Sequence, residues 1–328
     1  MTDGIFAHCC SGNNGVMNPP QGYLDGRIVP VSEMAISITD AGFTLGTTVT
    51  EQMRTFAGNI FELETHLQRL ERSLKIVGIE PRESLSDLAE IAQNLVQQNH
   101  LLFDAQDDLG LTLFVTPGTL PRFNDGKRGS PCVGMHTFPL PFHLWNTHYH
   151  QGQSLSVTEI EQVSPQCWPA ELKCRSRMHY YLADQSADRT EPGSRALLLD
   201  SNHRVIEAST ANIILYKKNQ GILTPPVESA LPGISLLYVQ NLAQHLGIDW
   251  KHCPIVPEDV AQADEVFLSS TPFCLLPVTS LNRQPIQDGK PGPLFRQLAT
   301  AWSVCVGVDF IQQAGRFADR STGEAQCH

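Results

Sequence analysis

The chain has 328 residues, 41% of them hydrophobic, enough for two ordinary domains with their own cores. Against 23 Lys and Arg stand 34 Asp and Glu, a formal charge of −11, which disfavours nucleic acid and anionic membrane surfaces as partners. No run approaches the roughly 20 apolar residues of a membrane span.

Residues 1–20 are rich in Gly, Asn and Pro and are expected to form a loose N-terminal extension. They lack a basic start followed by an apolar run, so no secretory signal is expected. The nine cysteines (Cys9, Cys10, Cys132, Cys167, Cys174, Cys253, Cys274, Cys305, Cys327) are odd in number and include no C-x-x-C pair. That usage fits reduced thiols and a cytoplasmic protein. From Tyr23 to Ile38 the sequence reads as a short hairpin and strand, turned at Asp25-Gly26. Thr44 to Phe56 reads as another strand. Leu63, Leu67, Leu70, Leu74 and Val77 recur at helical spacing, and Gly78 ends that helix. A second helix is predicted from Pro81 to about His100. Leu109 to Thr116 reads as a strand stopped by Pro117-Gly118.

Residues 118–150 hold many breakers, among them Pro121, Gly126, Gly129, Pro139 and Pro141. They divide a smaller α+β domain at 21–135 from a larger domain at 151–310, with the connection at 136–150. The larger domain opens with a strand near Ser154–Glu159, and a helix is predicted from Trp168-Pro169 to about Ala187. A meander follows: Arg195–Leu199, Arg204–Glu207, Asn212–Tyr216 and Ile222–Thr224. A helix opens at Leu231-Pro232-Gly233. Strands at Glu265–Ser269 and around Pro277–Pro285 precede a last helix from Leu294 to about Val306, and residues 311–328 are expected to be a tail.

Several segments could carry chemistry. His66 and Arg69, three apart, share one side of the first helix. Lys173 lies in Glu171-Leu172-Lys173-Cys174-Arg175-Ser176-Arg177; a desolvated lysine could attack a carbonyl. Glu207 ends a strand before small residues, and a buried carboxylate there needs a partner such as a protonated pyridine nitrogen. Gly233 opens a helix whose Ile234 and Ser235 N–H groups could hold a phosphate. Thr271 closes the hydroxyl cluster Ser269-Ser270-Thr271. His148 and His150 would share one strand face, but no familiar spacing completes a metal site, so none is expected.

Taken in order, these segments resemble the class IV aminotransferases, the fold type IV pyridoxal-phosphate enzymes. That family includes branched-chain and D-amino-acid aminotransferases and aminodeoxychorismate lyases. The likeness runs from about Tyr23 to Val306 and includes Glu51-Gln52-Met53-Arg54, His66-x-x-Arg69, Glu207-x-x-x-x-Asn212, Thr224-Pro225-Pro226 and Leu231-Pro232-Gly233-Ile234. It implies a two-domain α+β and α/β fold, like that of D-amino-acid aminotransferase, with pyridoxal 5′-phosphate between the domains. It implies a Schiff base on Lys173, which would also move the proton at the substrate's Cα. Glu207 would face the pyridine nitrogen, and Arg69, Ile234, Ser235 and Thr271 would hold the phosphate. The partners implied are an amino donor and a 2-oxo acid, and the assembly a homodimer. Aminodeoxychorismate-lyase-like chemistry, or cofactor binding without catalysis, are the alternatives.

The pocket departs from the family pattern. Pro117 stands where D-amino-acid aminotransferases and the lyases resemble one another in carrying an arginine, and Arg122, Arg175 or Arg177 could substitute. Met178 replaces the tyrosine found five residues after the lysine in branched-chain enzymes. Tyr180, seven residues on, would share a helical face with Lys173.

Overall fold

A computed structural model describes residues 19–322. The expected N-terminal extension lies outside them except for Pro19 and Pro20, as do Cys9, Cys10 and Cys327. Strands β1 (Gln21–Leu24) and β2 (Arg27–Pro30) form a hairpin. Its turn residues Asp25 and Gly26 both have positive φ, 46° and 84°, as a tight two-residue hairpin requires. A single turn, α1 (Ala41–Thr44), follows, capped by Asp40, whose carboxylate accepts from Gly42 N–H at 2.6 Å. The strand expected from Thr44 therefore begins only at Val49, as β3 (Val49–Phe56), with β4 (Asn59–Ile60) behind it.

Helix α2 (Leu63–Val77) has its predicted bounds, and Gly78 closes it at φ 71°. Helix α3 (Leu85–His100) starts later than Pro81, because Ser84 caps it and Asp87 reciprocates. The two helices bury Leu67, Leu70, Leu74, Leu88 and Leu95 against β5 (Leu109–Thr116) and β6 (Cys132–Pro139). The sheet order is β2-β1-β6-β5-β3-β4. Strand β6 runs to Pro139, so residues 136–139 of the expected connection belong to this sheet.

After the short α4 (His148–Gln151) come β7 (Gln153–Val157), α5 (Met178–Thr190), β8 (Arg195–Leu199), β9 (Val205–Ala208), β10 (Asn212–Lys217) and β11 (Gly221–Thr224). Then follow α6 (Ile234–His245), β12 (Trp250–His252), α7 (Pro257–Ala261), β13 (Glu265–Ser270), β14 (Cys274–Leu281), β15 (Gln284–Pro285), α8 (Pro293–Val306) and α9 (Phe310–Phe317). The second sheet is ordered β12-β11-β10-β13-β14-β7-β8-β9, with β15 beside β14. The predicted meander is thus two separate hairpins, β8–β9 and β10–β11, with β13, β14 and β7 between them. Ala208 and Ala211 nevertheless bond to each other, so the β9 end curls back to β10 and brings Glu207 and Asn212 together.

The expected tail contains α9, which buries Phe310 and Ala314 in the core around Trp302. Gln313 of α9 also accepts from the buried Arg54 of β3 at 2.9 Å, while Arg54 donates to the Pro272 carbonyl at 3.0 Å. The two sheets are tied at this seam. Among the described residues no single helix is long and apolar enough to cross a membrane.

Candidate active site

Lys173 is not on a helix. It lies in an extended segment ahead of α5, where Cys174 bridges Val49. The Lys173 carbonyl accepts from Thr50 N–H at 3.1 Å, and Arg175 N–H donates to Thr48 O at 2.8 Å. Lys173 N–H donates to Ser73 of α2 at 3.2 Å. These distant partners satisfy the backbone and override the local helical reading. Burial pushes the Lys173 amine down to about 7; Arg69 and Arg177 push the same way, while Glu51 and Glu207 oppose. An amine with that affinity for protons is available as a nucleophile near neutral pH.

Glu207 ends β9 and is 3% exposed. Its carboxylate accepts from the Tyr180 hydroxyl and the Gln162 amide. Tyr180 thus reaches the site from the first turn of α5, not from a face shared with Lys173. Burial pushes the Glu207 carboxyl up, against the Tyr180 bond, the Lys173 charge and the Gln162 bond. A cation set against it would restore the ionised form.

Arg69 and His66 of α2 converge on Glu51 of β3, which is wholly buried. Arg69 Nε and Nη2 donate to the two Glu51 oxygens at 2.8 and 2.7 Å, and His66 Nδ1 lies 2.8 Å from Oε2. Burial alone would raise the Glu51 carboxyl, but the Arg69 charge and bonds, with His66, outweigh it and hold it well below the usual range. Arg69 Nη1 donates to the Pro232 carbonyl at 3.0 Å, fixing the arginine beside the entry to α6. Glu51 thereby sets where Arg69 points. Only an acid in alternation with the core-facing Val49 and Met53 hinted at this.

Removing one member of a buried pair strands the other, at about 3–5 kcal/mol. Glu51→Ala should lose that much in urea unfolding of the protein, and an unchanged midpoint would remove the pair from the stability account. Because the folded carboxyl binds protons more weakly than its ordinary 4.5, its contribution is complete above about pH 4.5 and declines as pH falls below it.

Helix α6 begins at Ile234 with no side-chain cap, leaving its first N–H groups without helical partners. The Ser235 and Ser269 hydroxyls are buried without a hydrogen-bond partner. Asn212 Nδ2 donates to the Leu231 carbonyl at 2.8 Å and backs the turn so closely that a Cβ on Gly233 would lie 1.9 Å from Asn212 Oδ1. Orphaned hydroxyls, a bare helix start and Arg69 form a cradle for a multiply charged anion such as a phosphate. The residues therefore fit a phosphate-bearing aldehyde cofactor with a basic ring nitrogen.

Arg69, Lys173, Glu207, Ile234, Ser235 and Thr271 all line one cavity of about 340 Å³. Of the arginines considered as substitutes, Arg177 lines it, while Arg122 and Arg175 do not. Gln162, in a loop, and His179 and Arg195, at the starts of α5 and β8, also line it and were not singled out by the sequence, since element ends and loops carry no periodicity to mark a direction. His148 and His150 lie on α4, not on a strand. Among the described residues no group of three or more His, Cys, Asp or Glu is placed to hold a metal ion.

The family described as amino-transferase class IV matches residues 48–281, a span reaching from β3 to β14. The chain is 29% identical over 279 residues to D-alanine aminotransferase of Bacillus licheniformis, covering 85% of this chain and 94% of that one. It is 26% identical over 293 residues to branched-chain-amino-acid aminotransferase of Escherichia coli (strain K12), covering 85% and 91%. Among solved structures, the Escherichia coli branched-chain amino acid aminotransferase shares the fold with a TM-score of 0.80 at 24% identity, over 87% of this chain and 94% of that one. A T.th. branched-chain amino acid aminotransferase with pyridoxamine 5′-phosphate gives 0.78 at 22%, over 89% and 95%. A match that takes in strands of both sheets, and a shared two-domain fold, place the chain in the amino-transferase class IV family, whose enzymes use pyridoxal phosphate, and make it an aminotransferase.

Proposed function

We propose that the chain moves an amino group from an amino acid to a 2-oxo acid, with pyridoxal phosphate held through Lys173. The observation that carries this reading is the convergence of the Lys173 amine, Glu207 and the bare α6 start on one cavity. When bound, the cofactor supplies the electron sink that stabilises charge at the substrate's Cα. Arg69, the Ile234 and Ser235 N–H groups and Thr271 bind its phosphate and so set the position of the ring. Glu207 holds the ring nitrogen's proton, and the Tyr180 and Gln162 donors favour the ionised carboxylate that this needs. Lys173 Nζ takes the proton from Cα and returns it, a task suited to an amine titrating near neutrality.

The named relatives act on D-alanine in one case and on branched-chain amino acids in the other, which supports an amino acid as donor. Holoenzyme should change its visible absorbance with at least one donor from a panel of D- and L-alanine, leucine and glutamate, and a 2-oxo acid should reverse the change. Inertness across the panel would sink transamination. Pyruvate release with no acceptor present would indicate the lyase chemistry instead.

The exposed apolar residues Ile38, Phe43 and Leu45, within and flanking α1, support a homodimer, since exposed apolar surface marks association sites. A mass near 36.2 kDa in light scattering would refute it.

A further inference from the structure

We infer that Arg177, aided by His179, binds the α-carboxylate of the substrate; this rests on Lys173 as the reacting amine. The position of the first sheet where the resemblance placed an arginine holds Pro117, which does not line the cavity. Arg177 lies at the end of the loop that begins with Lys173. Its Nε donates to the Cys174 carbonyl at 3.2 Å, which fixes the root of the guanidinium. Among the described residues no carboxylate forms a salt bridge with it, and its side chain lines the cavity. A cation partly withdrawn from water in this way favours an anionic ligand.

His179 points to the same ligand. Its Nε2 is buried without a partner, and its ring packs on Tyr180 with centroids 4.0 Å apart. Tyr180 in turn bonds Glu207, and His179, Arg177 and Glu207 line the same cavity.

The other arginines are less suited. Arg69 is held by Glu51 in the cradle assigned to the phosphate. Arg195 also lines the cavity and its Nη1 is buried without a partner, but its guanidinium lies over the Phe273 ring, 5.3 Å from the centroid. The Arg177 side chain is anchored to the carbonyl of Cys174, the residue that follows Lys173. In an α-amino acid the carboxylate is attached to the same carbon as the reacting nitrogen. An arginine anchored beside Lys173 and lining the same cavity is therefore placed to hold it. The substrate class that follows is α-amino acids and 2-oxo acids, in preference to amines without a carboxylate.

The test compares Arg177→Ala with the parent holoenzyme on a matched pair, alanine and isopropylamine, which differ by a methyl in place of the carboxylate. The ratio of kcat/KM for alanine over isopropylamine should fall roughly 10- to 100-fold, with Arg177→Lys between the two. Propionate, measured by titration calorimetry against the holoenzyme, should bind more weakly by a similar factor. Cofactor content and absorbance should stay as in the parent. Equal losses on both donors, or an unchanged propionate Kd, overturn the assignment, as does a loss that appears in Arg195→Ala but not in Arg177→Ala. If no donor reacts, the Lys173 reading fails, and the propionate titration still decides the role of Arg177.

Discussion

Lys173→Ala should lower kcat by at least about 10³-fold, because on the proposed function it removes both the nucleophile and the group that moves the Cα proton. A second consequence follows from burial and needs no cofactor. In the folded apoprotein the amine titrates near 7, against 10.5 for an ordinary lysine. Between those values the unfolded chain binds more protons than the folded one, so stability rises with pH across that window. Read downward, stability declines as pH drops from about 10.5 to about 7 and is level below. Lys173→Met cannot take up the proton and should remove this slope. The apoprotein variant should resist urea better than its parent at pH 7 and match it above pH 10.5. Parallel stability curves for the two proteins would mean that the amine is not held in its neutral form by the fold.

Glu207→Gln should cost about 10²–10³-fold in kcat, as expected when a preorganised charge facing the reacting system is lost. The substitution keeps the shape of the side chain, and its amide oxygen can still accept from Tyr180 and Gln162. Unfolding free energy should therefore change by about 1 kcal/mol or less. A large kinetic loss with little stability loss separates a role at the ring nitrogen from a packing role. Full activity with cofactor retained would rule out Glu207 as the ring nitrogen's partner.

Helix α2 was legible because its leucines repeat at helical spacing, a pattern set by which face must be buried. The hairpins β8–β9 and β10–β11 were legible because their turns are local. Their separation in the sheet was not, because it depends on β7 pairing parallel to both β14 and β8. Parallel neighbours need not be close in sequence, so no turn residue announces them. The start of α5 was misplaced for a similar reason. Residues 173–175 look compatible with a helix by themselves, but Thr48 and Thr50 take up their backbone groups. The role of Tyr180 changed with it, from a neighbour of Lys173 on a shared face to a donor to Glu207.

Lys173, Arg69, Glu207 and the α6 start could be named from sequence because each carries a chemical type at a recognisable place in an order of motifs. Sequence by itself offered those candidates, the helix α2 and the family likeness, since side-chain type and apolar period are local properties. Only the tertiary structure decided that Glu51 aims Arg69, that Tyr180 and Gln162 converge on Glu207, and that Arg177 alone of the three substitute arginines faces the cavity. Those outcomes depend on where segments 18 to 163 residues apart come to rest. Burial then supplies what sequence cannot display, an amine that titrates near neutrality and hydroxyls left without partners.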